Sequence, residues 1–276
     1  MSRIKVMVNG IPGNMAVKVA EYVCRDPGLS LIPFALTGPE ILESEFQVYS
    51  TPIRLITPEE RDEIVRTVKE TEGDFICVDY TTPDAVNTNA SFYSSQNLSF
   101  VMGTTGGDRE LLKNTVEGSN VCAVVAPNMA KQIVAFQAMM EYASKNFPGV
   151  FKGYKLEIKE SHQKGKLDTS GTAKAMVKYF NLLGIPFTHD EIIMERDPEV
   201  QRSEWGVPEE FLKGHGWHTY TLTSADGTVQ FQFKHNVNGR DVYAMGTLDA
   251  IYYLNKKLAQ GNKGKVFSMI DVLKGA

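Results

Sequence analysis

Short apolar runs alternate with stretches of helical periodicity through the first half of the chain, and each run ends in a small or hydroxyl-bearing loop. Arg3–Val8 reads as a buried strand, followed by Asn9-Gly10-Ile11-Pro12-Gly13-Asn14-Met15 and then by Ala16, Val19, Ala20 and Val23 at helical spacing. Further strands are predicted at Leu29–Leu36, Phe75–Asp79, Ser99–Met102 and Val121–Val125, with a helix over Thr57–Glu72. This alternation predicts a doubly wound parallel sheet, whose ligands bind at the carboxyl ends of its strands.

After a helix at Lys131–Asn146 the period changes to two. Lys155–Glu160, Trp217–Ser224 and Thr228–Val237 alternate as longer strands, the last two joined by Ala225-Asp226-Gly227. A helix at Ser170–Leu183 and an irregular stretch, Ile185–Gly214, lie between the first and second of them. The final helix, Tyr243–Ala259, and Lys265–Leu273 return to the first region. The expected division is therefore residues 1–129 with 241–276 as a dinucleotide-binding domain, and 130–240 as a substrate and oligomerisation domain.

The polar chemistry is densest where the first of these longer strands meets its helix, from Glu160 to Lys174. His162 is a side chain whose ordinary pKa lies near neutrality, while Lys164, Lys166 and Lys174 supply cations around Gly165. Ser170, Gly171 and Thr172 fall where a helix exposes unpaired N–H groups, a setting for carboxylate or phosphate. A solvated basic loop with an ordinary helix cap is the competing reading. His215 and His218 flank Trp217 without companions at metal-ligand spacing, so packing is expected of both and no metal site is expected.

The net charge of -4 and pI near 5.8 give no pull toward nucleic acid or an anionic membrane, so the basic loop is a local device for a small anion. Cys24, Cys77 and Cys122 sit in apolar settings without close pairing and are expected to be reduced and buried. No apolar run reaches membrane-spanning length, and with Met1 leading almost directly into a strand no signal or transit peptide is expected. A protein of a reducing compartment is expected, cytoplasmic or in the plastid stroma.

In the glycine turn, Gly10 suits the tight bend and Gly13 the approach of pyrophosphate, although Pro12 and Met15 replace two glycines of the usual pattern. Thr37-Gly38-Pro39 ends the second strand with no acidic residue, a weak lean toward NADPH, with NADH also possible because Thr37–Ile41 holds no Arg or Lys.

Taken together, Gly10-x-x-Gly13-x-Met15, Gly103-Thr-Thr-Gly106, Ala126-Pro-Asn128, Glu160-x-His162-x-x-x-Lys166-x-Asp168, Ser170-Gly-Thr172-Ala and Val266-Phe-Ser-Met-Ile-Asp271-Val-Leu resemble the 4-hydroxy-tetrahydrodipicolinate (dihydrodipicolinate) reductase family, in its plant-type branch. The resemblance runs over essentially the whole chain. It implies an α/β fold: a Rossmann-like doubly wound parallel sheet plus a second α+β domain with a mixed, mostly antiparallel sheet. It implies NAD(P)H-dependent reduction of a cyclic imine dicarboxylate in lysine and diaminopimelate synthesis by a homo-oligomer, dimer or tetramer.

Cofactor contacts are expected at Gly10, Gly13, Asn14, Met15, Thr37, Asp79, Thr81, Gly103, Thr104, Thr105, Ala126, Pro127 and Asn128. His162 and Lys166 are implied in catalysis, with Gln163, Lys166, Ser170, Gly171 and Thr172 around the substrate. Gln163 stands where bacterial members carry a second His, Asn14 where they often carry Arg or Lys, and Thr169 where a Pro is usual. Arg240 reaches a carboxylate or stabilises an interface; the sequence leaves both open. The alternatives are another two-domain amino-acid-pathway dehydrogenase, or a non-catalytic NADPH-binding sensor.

Overall fold

A computed structural model describes residues 3–275, which divide into two compact units. One runs to Lys131 and resumes at Asp241; the other is Gln132–Arg240.

In the first unit β1 (Ile4–Asn9) enters α1 (Asn14–Arg25), whose buried stripe is Ala16, Val19, Ala20 and Val23. Cys24 follows that stripe by one residue, about 100° around the helix, and is exposed, contrary to the expectation of burial; Cys77 and Cys122 are buried. The strand expected at Leu29–Leu36 is two strands, β2 (Leu29–Leu31) and β3 (Phe34–Leu36), in different sheets. Pro33 separates them and has no N–H to continue the ladder with β1.

β3 pairs with β5 (Thr51–Ile56), which also pairs with β4 (Glu45–Val48), a small sheet the sequence reading missed. The helix expected from Thr57 starts later, as α2 (Arg61–Glu72), after a turn closed by the Glu60 amide on the Thr57 carbonyl at 3.2 Å.

The main sheet continues through β6 (Ile76–Asp79), α3 (Val86–Ser95), β7 (Phe100–Met102), α4 (Arg109–Glu117) and β8 (Cys122–Val125). In the second unit α5 (Lys131–Asn146) leads to β9 (Lys155–His162), α6 (Gly171–Leu182), β10 (Ile193–Glu195), the single turn α7 (Pro198–Val200), β11 (His215–Thr223) and β12 (Gln230–Asn238). The chain returns through α8 (Asp241–Ala259), β13 (Lys265–Phe267) and α9 (Met269–Gly275).

The six strands of the main sheet are parallel, in the order β13-β8-β7-β6-β1-β2. Strand order reverses outward from β1 and β6, so their carboxyl ends open a crevice. Gly246 of α8 abuts the Met129 carbonyl, where a β-carbon would overlap the backbone.

The second sheet is mixed, β10-β9-β11-β12, with only the β10–β9 pair parallel. Its apolar face packs on α6, with Ile158, Met176, Phe180, Tyr220 and Leu222 at the centre. No helix among the described residues is long and apolar enough to cross a membrane.

Candidate active site

In the first unit the turn after β1 surrounds a cavity of about 830 Å³ at the strand ends. Gly10, Gly13, Thr37 and Thr81 line it, as do Gly38, Glu40 and Arg61. Gly10 has φ +99°, and a β-carbon there would overlap the Tyr80 carbonyl. Only glycine fits that position. Gly13 caps α1, its amide bonded to the Gly10 carbonyl at 2.8 Å. A long cleft, a turn stripped of side chains and a helix N-terminus fit the pyrophosphate of a dinucleotide.

Thr37–Pro39 holds no acid, but the next residue brings one to the same place. Glu40 folds its carboxylate back over Gly38, into the space a side chain there would fill. Arg61, at the start of α2, lines the same cavity and lies over the Phe92 ring, 4.5 Å from its centroid. Acidic and cationic groups thus both face the region just past β3.

The expectation that Asp79 contacts the cofactor does not hold, because it is fully buried and both oxygens are filled from within. Oδ1 accepts from the Thr81 hydroxyl at 2.8 Å, the Thr81 amide at 3.2 Å and the Thr104 hydroxyl at 2.6 Å. Oδ2 accepts from Asn89 at 3.0 Å and Tyr93 at 2.7 Å. Asp79 therefore fixes the loops that carry Thr81 and Thr104. Thr104 is itself buried, and the buried Ala126 gives its amide to the Met102 carbonyl. Asn14, Met15, Gly103, Thr105, Pro127 and Asn128 fall outside the lining of the cavity, the first two in the opening turn of α1 and the rest on the loops after β7 and β8.

In the second unit β9 pairs antiparallel with β11, setting His218 opposite Glu160 and Gly216 opposite His162. Glu160 is fully buried. Its carboxylate accepts from Arg196 Nη2 at 2.5 Å and from the Ser170 amide at 3.1 Å, with His218 Nε2 3.6 Å away. Burial opposes ionisation, but the bonds from His218, Arg196 and Ser170 outweigh it and hold the carboxyl well below the usual range.

His162 Nδ1 lies 3.1 Å from the His215 carbonyl and so carries the proton it donates there. Its Nε2 is buried without a protein partner. Burial, reinforced by His218, pushes the imidazole down to about 4. His162 is therefore neutral near pH 7 and presents a lone pair, which makes it an acceptor before ligand arrives.

Ser170 caps α6, accepting the Ala173 amide at 3.0 Å, and its Oγ lies 2.7 Å from His218 Nε2. The amides of Gly171 and Thr172 lie in the first turn, ahead of the helix's own hydrogen bonding. Lys166, with 23% of its side chain exposed, forms an ion pair with Asp168 at 2.7 Å. Gln163 accepts the Lys166 amide through its carbonyl and lines a second cavity of about 700 Å³ with Lys164, Arg202 and Lys213. Arg240 closes the unit beside Gly214.

His215 has a structural role: buried, it accepts from Ser161 at 2.8 Å and donates to the Phe211 carbonyl at 3.1 Å. His218 is packed as expected, buried and stacked on His235 with centroids 4.6 Å apart, and it also joins the Glu160–Ser170 network. Arg196 and Gln201, whose amide nitrogen reaches the His162 carbonyl at 2.7 Å, come from the irregular stretch and were not anticipated. Glu160, His162 and His218 lie close enough to share a divalent ion. Arg196 also supplies a positive charge beside Glu160.

A glycine turn and helix N-terminus at the carboxyl ends of a parallel sheet, carried by a chain with a second α+β unit, fit the class of two-unit pyridine-nucleotide reductases. The chain belongs to the dihydrodipicolinate reductase family: the family's N-terminal region matches residues 4–129 and its C-terminal region residues 132–273. It is 48% identical over 269 residues to a probable 4-hydroxy-tetrahydrodipicolinate reductase 1, chloroplastic, of Oryza sativa subsp. japonica, covering 98% of this chain and 78% of that one. It is 46% identical over 271 residues to 4-hydroxy-tetrahydrodipicolinate reductase 2, chloroplastic, of Arabidopsis thaliana, covering 98% and 77%. The fold matches a dipicolinate-bound dihydrodipicolinate reductase from Paenisporosarcina sp. TG-14 with TM-score 0.67 at 19% identity, over 96% and 97% of the two chains.

Proposed function

We propose that the chain reduces 4-hydroxy-tetrahydrodipicolinate to tetrahydrodipicolinate in lysine and diaminopimelate synthesis. The observation that carries this reading is the family match across residues 4–129 and 132–273, and it is supported by His162 at the end of β9 and Gly171 and Thr172 in the first turn of α6. NADPH or NADH, bound along the cavity of the first unit, supplies the hydride.

The protein's part is to bind a dianion and manage one proton. The α6 amides and the Thr172 hydroxyl take a carboxylate. Lys166 stabilises charge developing at the ring nitrogen, or protonates it. His162 enters neutral; a dianion beside it raises its proton affinity, so protonation couples to substrate binding. The test is nicotinamide absorbance with substrate generated in the cuvette by the preceding synthase. Cofactor binding without substrate-dependent oxidation would sink the assignment in favour of a sensor or another dehydrogenase.

Both cofactors are expected to serve, with Glu40 opposing and Arg61 favouring a 2′-phosphate. Glu40→Gln should raise the NADPH to NADH ratio of kcat/KM by up to about fivefold, the effect of one exposed charge interaction of about 1 kcal/mol. An unchanged ratio removes Glu40 from cofactor selection.

β12 is an edge strand of nine residues with Phe231 43% exposed and Val229, just before it, 41% exposed. Such an edge invites pairing, and we assign it to contact between copies, as dimer or tetramer. Sedimentation velocity should give at least a dimer at micromolar concentration; a monomer there would overturn the assignment. The plant relatives are named chloroplastic, which favours a plastid setting.

A further inference from the structure

The loop that carries Lys166 has few ties of its own. Its amide bonds back to the Gln163 carbonyl at 2.9 Å, Leu167 is 88% exposed, and Gly165 stands in open space. What grips it comes from thirty residues away. Arg196, just past β10, keeps only 18% of its side chain exposed. Its Nε donates to the Lys166 carbonyl at 2.7 Å, and its Nη2 to the Glu160 carboxylate at 2.5 Å and the Asp168 carbonyl at 3.4 Å. Nη1 donates to the Glu195 carbonyl at 2.9 Å.

Two of these acceptors are backbone atoms of the loop, and a third, Glu160, holds the amide of Ser170 where the loop enters α6. One planar fork thus ties both flanks of the segment to a buried carboxylate on a strand. An ammonium group cannot repeat this, since it offers a point charge rather than a rigid set of donors.

We propose that Arg196 is the positioning residue of the reductase, fixing residues 166–170 so that the Lys166 ammonium and the Gly171–Thr172 amides face one bound dianion. This rests on Lys166 being the donor to the substrate. A donor displaced by an ångström forfeits much of the rate, on the order of 10²-fold. The loop's geometry is therefore part of the catalytic apparatus, although Arg196 need not touch substrate.

Arg196→Lys keeps a cation beside Glu160, protecting the fold, while losing the fork. It should lower kcat by about tenfold or more, leave the NADPH dissociation constant within about twofold, and speed amide exchange selectively at residues 163–170. Arg196→Ala should recover part of its activity in millimolar guanidinium and none in equal sodium chloride. Wild-type kcat and wild-type exchange in Arg196→Lys would overturn the proposal, as would equal rescue by both salts. If the wild-type chain itself fails to oxidise NADPH with substrate, the reductase reading falls and exchange alone judges Arg196. Faster exchange at 163–170 then supports its grip on the loop, and unchanged exchange refutes it.

Discussion

Lys166→Ala is expected to cut turnover by about 10²-fold or more, the usual loss when a proton donor or charge-stabilising group is removed, while NADPH affinity stays near that of the wild type. The split follows from placement: the dinucleotide cavity is lined by residues of the first unit, and Lys166 belongs to the second. The ammonium is free to act because its ion-pair partner, Asp168, is exposed and easily hydrated once substrate draws the lysine away. A substrate dianion is the stronger attractor. Stopped-flow reduction and cofactor titration on the same preparation would separate the two effects. Turnover within a few-fold of wild type would take Lys166 out of the chemistry and, with it, the proposed purpose of the Arg196 clamp.

The second large effect is on stability. Glu160→Ala should destabilise the second unit by about 3–5 kcal/mol, the cost of breaking a buried ion pair from one side. The arginine and the Ser170 amide would both lose their acceptor. Acid approaches the same end by degrees. His162, with its folded pKa pushed down to about 4, resists protonation that the unfolded chain accepts near 6.5. Stability is thus highest above pH about 6.5 and falls by about 1.4 kcal/mol per unit for this group as pH drops toward 4. Glu160, held below its unfolded value, contributes fully above pH about 4.3, and that contribution fades as pH falls further. Urea midpoints between pH 7.5 and 4 would report the slope. A midpoint flat across that range, or an alanine variant as stable as wild type, would contradict the burial and pairing of this cluster.

Local patterns disclosed much of this. The Gly10 turn, the alternating strands and the Ser170 cap lie within short windows whose periodicity and residue types specify them. The joining of Glu160 to His218 was not legible, because it depends on how β9 and β11 register, a relation between segments far apart in sequence. Arg196 sits in a stretch whose Pro and charges give no period, and nothing near it announces four acceptors. Asp79 illustrates the opposite failure: a carboxylate at a strand end reads as a ligand contact, yet the hydroxyls of Thr81 and Thr104, themselves expected to contact the cofactor, turn inward to satisfy it. The break at Pro33 was visible in principle, but the apolar run around it masked the change of sheet.

Glu160 and His162 ride on β9 and His218 on β11, paired along eight positions, whereas Lys166 rides on a short segment outside the sheet, its own carbonyl held by Arg196. The two kinds of support can evolve separately. Residues inserted or deleted between Lys166 and Ser170 would alter the reach of the ammonium without shifting the imidazoles or the buried carboxylate beneath it. A lineage can therefore retune which ring it accepts by editing a few surface codons, and keep the strand-borne chemistry it inherited.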